Sequence, residues 1–424
     1  MIKKLPLKIV FLLTGFLIST PTLFAQVLMK EVSFEHQIKN STLTIEGEVL
    51  SKESFWDSEY KNIYTVNTIK VYKVFKGEST EAIEVITPGG VVGLHAEIVT
   101  PSLSLKTKDI GVFVLHDNDI NLESKTKTSK YQAYSSSQGF YKYNIEQDVV
   151  KNPFKETKGI TSSFYKKIRA STNTDYVDVV GFDVKEKQME LLQKKSFLPP
   201  SSISFTPTSI TAGTKSVLTI NGSGFGATKG SVSFSDADEG GTEFFEALDT
   251  QVLTWSDTQI TVEVPSKAGT GIIRVTDSSN GFADSNDILT VSYAEINIVS
   301  NQAPAGPNAG LDVAYQTRHV NDDGAGGYTW QMYTDFDSNA LAKASFLRAF
   351  ETWRCESGVN WVVGETTSTN VIAEDDINVI RFDVGGELPD GLLGRCTSRF
   401  GGCFANGNTS IDWFVDELDI VFND

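Results

Sequence analysis

Along most of this chain apolar and polar residues alternate with a period of two, and helical spacing is confined to a few stretches. Ser41 to Leu50 alternates as a strand, and Tyr64 to Phe75 repeats the pattern before Lys76-Gly77 ends it. A third strand is expected over Ala82 to Thr87, running into the turn Pro88-Gly89-Gly90, and a further one over Ile110 to His116. Ser162 to Arg169 reads as a short helix and Val184 to Lys195 as an amphipathic charged stretch. Pro199-Pro200 closes the region, because consecutive prolines cannot extend a helix. Residues 27–180 therefore predict one β-rich, barrel-like domain, and residues 181–200 a linker.

Beyond the prolines the strands are short and the turns dense. Pro207-Thr-Ser-Ile-Thr-Ala-Gly213 leads into Leu218-Thr-Ile-Asn-Gly222-Ser-Gly224-Phe-Gly226; Trp255-Ser-Asp-Thr-Gln-Ile260 and Pro265-Ser-Lys-Ala-Gly-Thr-Gly271 follow in order. Short alternating strands between Gly, Pro, Ser and Asp turns indicate an antiparallel sandwich. These motifs, in this order, closely resemble the IPT/TIG immunoglobulin-like family over residues 201–294. In that fold Gly222, Gly224 and Gly226 are expected at turns and bulges needing unusual backbone angles. They are not expected to cradle phosphate, since no helix follows to present its N-terminus. The first domain, with Gly47, Val49, Trp56, Tyr64 and Pro88-Gly89-Gly90, is faintly similar to netrin or tissue-inhibitor-type barrels, a likeness that implies no activity.

A proline- and glycine-containing stretch, residues 295–311, predicts a semi-extended spacer, and residues 312–424 form the last segment. Tyr328 to Asp335 alternates as a strand. Asp337 or Ser338 is placed to cap a helix running to about Arg354, with Phe346, Phe350 and Trp353 on one inward face. Asp376 to Asp383 is a strand, Pro389 to Gly394 a loop, and the terminal stretch alternates apolar Phe414, Leu418, Ile420 and Phe422 with acidic residues. This order resembles the first half of a metzincin zinc endopeptidase domain of the matrixin-like branch, carried here by Phe350-Glu-Thr-Trp353, Asp376 to Phe382, Gly391-Leu-Leu-Gly394 and Leu418 to Phe422. The fold class expected overall is mainly β and multidomain: a barrel-like domain, an IPT/TIG sandwich and an incomplete α+β metzincin-like segment.

The resemblance implies a zinc helix carrying His-Glu-x-x-His directly after the terminal strand, with two imidazoles one turn apart and a glutamate to deprotonate the bound water. No such motif occurs. The four histidines, His36, His95, His116 and His319, all precede the helix that runs to about Arg354, none is followed by Glu, and none is spaced to share a metal. Each is expected to be a surface or strand histidine. Asp335, Asp383 and Asp412 read as turn residues, and no catalytic, cofactor-binding or metal-ligating residue is assigned. Zinc is expected only where a complete catalytic domain follows, so this polypeptide is expected to be inert.

Composition sets the address and the partners. Lys3, Lys4 and Lys8 followed by the apolar run Ile9 to Ile18 and Leu23-Phe24-Ala25 predict an export signal over residues 1–25, too short to span a bilayer. A secreted, extracytoplasmic protein without a transmembrane segment is expected. The formal charge is −17, and −20 without those three lysines, which excludes the basic face that nucleic acid requires. An extracellular protein or glycan is the alternative partner class, bound through the IPT/TIG module. The pattern is silent on oligomeric state. Cys396 and Cys403 flank a Gly-rich stretch expected to be a loop and are candidates for a small disulfide; Cys355 is an equal candidate for either.

Overall fold

The computed structural model describes residues 29–122, 128–193, 200–238, 243–320 and 327–424. The export signal expected over residues 1–25 lies outside them. The protein is mainly β, with helices few and mostly short. No helix among the described residues is long and apolar enough to cross a membrane.

In the first domain, strands Leu43–Trp56, Ile63–Lys76, Ala82–Pro88, Lys130–Ala133 and Ile110–Asp117 pair in sequence, and the last pairs back onto the first. The sheet thus closes into a ring, which removes the free edges an open sheet would expose. Val49, Ile69, Val71, Ile83, Val85 and Phe113 fill it. Gly47 sits at a close approach: a Cβ there would lie 2.6 Å from the Lys70 carbonyl and 2.7 Å from Ile69. Helix Tyr165–Thr172 packs outside and is tied inward by a buried network. There Lys73 donates to Glu46 at 2.9 Å, and the hydroxyls of Tyr143 and Tyr165 donate to the same carboxylate.

The second domain is a sandwich. One sheet holds Ser201–Thr206, Val217–Ser223, Gln259–Glu263 and Val252–Trp255; the other holds Phe244–Glu246, Ser231–Asp236, Ala268–Thr276 and Phe282–Asp284. Leu218, Ile220, Phe225, Val232, Ile260 and Ile273 lie between them with no exposed surface. Gly224 and Gly226 adopt φ of 74° and 80°, which L-residues with side chains disfavour. Gly222 does not share that conformation. Its constraint is space, since a Cβ would come within 2.5 Å of the Phe225 ring. The Trp-Ser-Asp turn grips this hairpin: Trp255 Nε1 donates to the Gly226 carbonyl at 3.0 Å, and Asp257 accepts from Gly226 N–H at 2.9 Å.

The last segment builds a sheet in the order Trp361–Val363, Tyr328–Met332, Asn378–Phe382, Ser410–Phe422, Gly394–Ala405. All neighbours are parallel except the final hairpin. Helix Ala340–Ser357 lies on the connection from Tyr328–Met332 to Trp361–Val363. Its N-cap is Asn339, whose side chain accepts from Ala342 N–H, rather than Asp337 or Ser338, which belong to a short preceding helix, Thr334–Ser338. Phe350 is buried and Phe346 half-buried, but Trp353 is 62% exposed, so the expected inward face is narrower than its aromatics suggest. Residues 297–300, within the stretch read as a spacer, form a strand paired with Val313–Arg318. Val184–Gln193, within the expected linker 181–200, is helical.

The candidate disulfide does not form: Cys355, Cys396 and Cys403 are all free thiols. The cause is a misread loop. Residues 397–402 continue the strand Gly394–Ala405, with Cys396 opposite Ile420 and Cys403 opposite Asp412. Seven residues of extended chain separate the sulfurs' α-carbons by roughly 23 Å, far beyond the span of a disulfide.

The strand His95–Thr100 leaves the first domain and pairs antiparallel with Gly394–Ala405, from Cys396 opposite Thr100 to Gly401 opposite His95. The last sheet therefore ends on a hairpin, Gly90–Thr100, supplied by the first domain's stretch of chain, and its edge is covered by it. Residues 311–424 produced without the first domain should be cleaved rapidly in limited proteolysis while residues 29–424 resist. Equal resistance of the two would show that the shared strand is dispensable.

Candidate functional site

The hairpin Gly90–Thr100 carries Glu97 into the seam between the domains, opposite Arg399. Arg399 is buried, its side chain 4% exposed. Its Nη1 donates to Glu417 Oε1 and to Asp419 Oδ2, each at 2.7 Å, and its Nη2 to Asn62 Oδ1 of the first domain at 2.8 Å. Glu97 Oε2 lies 3.8 Å from Nε and accepts from Ile63 N–H at 3.1 Å. The second oxygens of the terminal-strand carboxylates bind backbone: Asp375 and Asp376 N–H donate to Glu417, and Val379 N–H to Asp419.

Three buried carboxylates thus face one guanidinium. Burial pushes Glu97 up to about 7, only partly opposed by Arg399. Burial also raises Glu417, helped by the adjacent Asp419, and raises Asp419 against the pull of Arg399. The seam therefore retains protons that the same groups release in an unfolded chain near pH 4.

Above the seam a cavity of about 470 Å³ opens to solvent, lined by Trp56, Tyr60, His95, Glu374, Asp375 and Asp376. Trp56 ends the first long strand, Tyr60 stands in the following turn at φ 58°, and the carboxylates come from the loop that enters strand Asn378–Phe382. The Trp56 ring lies 6.5 Å from Tyr60 and 5.5 Å from His95, and His95 Nδ1 is 3.5 Å from Glu374. Asp416, raised chiefly by burial and then by Asp376, borders a smaller void beneath, which Trp56, His95 and Glu374 also line.

Of the four histidines, His95 alone enters this site. His36 meets Asp390 at 3.3 Å on the surface, the His116 ring contacts the Asp117 carbonyl, and His319 packs beside Tyr328. Asp412 pairs with Arg318, Asp383 accepts from Leu388 and Asp424 N–H, and Asp335 sits in the first turn of a helix. Among the described residues no group of three or more His, Cys, Asp or Glu is arranged to hold a metal ion. Sequence reading missed Trp56, Tyr60, Glu97, Glu374, Arg399 and Glu417 as a set. The one local signal was the acidic run Glu374-Asp-Asp376.

The fold defines a multidomain, mainly β protein with an immunoglobulin-like sandwich at its centre. That sandwich is an IPT/TIG domain: the family model of that description matches residues 200–293. No curated protein matches the chain. Among solved structures it is similar to a structural genomics protein of unknown function from Bacteroides thetaiotaomicron VPI-5482, at 19% identity over 25% of this chain and 24% of that one, with a TM-score of 0.19. It is also similar to a putative bacterial DNA binding protein from Bacteroides vulgatus ATCC 8482, at 13% identity over 49% of this chain and 73% of that one, with a TM-score of 0.18. The chain spans about a quarter of the length of the first. Nothing in these comparisons matches a metzincin segment.

Replacing Arg399 by Leu strands the three carboxylates and should cost about 3–5 kcal/mol, read as a lowered urea midpoint. Glu97→Gln keeps an acceptor for Ile63 N–H and removes one buried charge. Because the folded Glu97 pKa is raised, its contribution is whole in mild acid and lost as pH rises through about 7. The variant should therefore gain on the parent between about pH 4 and about pH 7 and hold that gain above it; a pH-independent difference would contradict the burial argument.

Proposed function

We propose that this is a secreted multidomain protein whose residues 312–424 are the first half of a metzincin-like zinc endopeptidase domain, carried with an IPT/TIG accessory module. The observation that supports this reading is the order of elements in the last sheet: strand, crossing helix Ala340–Ser357, two further parallel strands, and an antiparallel hairpin whose last strand returns to the sheet interior. The residues present do not fit zinc: the histidines are scattered over separate surfaces, and the described residues offer no ligand cluster. On this reading peptide hydrolysis needs a zinc site that the described residues do not supply.

Two measurements test it. Purified residues 26–424 should hold well under one zinc per chain after dialysis and should not cleave casein; tight stoichiometric zinc would contradict the assignment. The coding DNA downstream should encode His-Glu-x-x-His within about one helix of the terminal strand. A second reading, an extracytoplasmic binding protein, is favoured by the seam cavity and by the exposed Leu253, Ile288 and Tyr293 on the sandwich. A stop codon with no such helix would leave that reading in place.

A further inference from the structure

The three carboxylates of the seam are not equivalent. Glu417 accepts from Arg399 Nη1 at one oxygen and from the Asp375 and Asp376 N–H groups at the other. Asp419 likewise accepts from Arg399 Nη1 and from Val379 N–H. A carboxyl that receives donors at both oxygens is held in its charged form. One guanidinium therefore already faces two negative charges.

Glu97 is placed differently. Its side chain is 4% exposed, and among the described residues its carboxyl takes one hydrogen bond, from Ile63 N–H at 3.1 Å. Arg399 approaches it only through Nε, at 3.8 Å, too far for a hydrogen bond. Arg395 also faces it, but so do Asp57 and Tyr64 of the first domain and Asp419 of the terminal strand. His95, Glu374 and Asp416 border the small void at its side. Losing the Glu97 proton adds a third negative charge to a buried joint whose guanidinium is committed to two. Burial accordingly keeps Glu97 protonated up to about 7.

Position turns this group into a device. Glu97 lies opposite Arg399 in the ladder between His95–Thr100 and Gly394–Ala405, so the charge develops at the line where the outer domains meet. The ring of the first domain closes without the strand His95–Thr100, and the sandwich has a core of its own. Repulsion at the ladder is therefore relieved by parting two strands, with both of those units left whole.

We propose that the seam is a proton-held latch: Glu97 docks as a neutral carboxyl, and release of its proton to bulk water parts the strand His95–Thr100 from Gly394–Ala405. The inference stands apart from the protease reading, since it uses only residues of the seam.

Hydrogen exchange of residues 26–424 tests it, read by mass spectrometry on peptides covering 95–100 and 394–405 and corrected for the intrinsic pH dependence of amide exchange. The closed seam binds the proton more tightly than the open one, so protection should fall at least about tenfold from about pH 5 to about pH 8. Peptides over 217–223 of the sandwich should keep theirs. Glu97→Gln should hold the seam protected across the same range, and Glu97→Met, a second neutral side chain, should do the same. Unchanged protection in the parent overturns the proposal. So does an equal fall in both variants, or a parallel loss over 217–223.

Discussion

Arg399 is the group on which the arrangement of the two outer domains depends. A guanidinium taken out of water is costly, and so is each carboxylate beside it; neither is tolerable without the other. Here the donors of one side chain reach Asn62 in the first domain and Glu417 and Asp419 in the last strand. Nη1 serves both carboxylates while Nη2 reaches the other domain, a spread of donors that the single ammonium of lysine cannot reproduce. Separating the domains would leave opposite charges half-desolvated on both faces, so the seam opposes any hinge motion about the shared strand. The excess of carboxylates over cations makes that opposition weaker in alkali than in acid.

The same excess shapes the cavity above. Glu417 accepts the N–H groups of Asp375 and Asp376, so the buried cluster fixes the loop whose side chains then face solvent beside Trp56. Structure and candidate chemistry are thus two sides of one loop. His95, at the start of the bridging strand, links them by facing Glu374.

Local pattern made much of the fold legible. Alternation located most strands, and the Gly and Pro punctuation located the sandwich, because both depend on neighbours only a few residues apart. What failed was long-range. Glu417 and Asp419 read as the polar side of an alternating strand, yet they are among the most buried residues, because a partner from far earlier in the chain covers that face. Gly401-Gly402 read as a loop, yet the strand Gly394–Ala405 passes through them; a Cβ at Gly401 would lie 2.9 Å from the Phe414 ring, so glycine here serves packing. Trp353 matched helical spacing but faces outward, since periodicity shows which residues share a face and not what covers it. The candidate site was illegible for the same reason: Trp56, His95 and Glu374 meet only after the domains join.

The shared strand has a consequence for the order of assembly. Arg399 and Asn62 are 337 residues apart in sequence, and the IPT/TIG sandwich lies wholly between the two halves they join. The sandwich closes on contacts made within its own stretch, so during synthesis it can finish while the first domain still presents its hairpin Gly90–Thr100 unpaired. Loop closure over such a distance is slow, and an unpaired strand invites the wrong neighbour. A folded module in the middle shortens the effective loop to the distance between its own ends. The central sandwich, folded on its own contacts, leaves the final hairpin less free chain to search with for the strand that pairs with it.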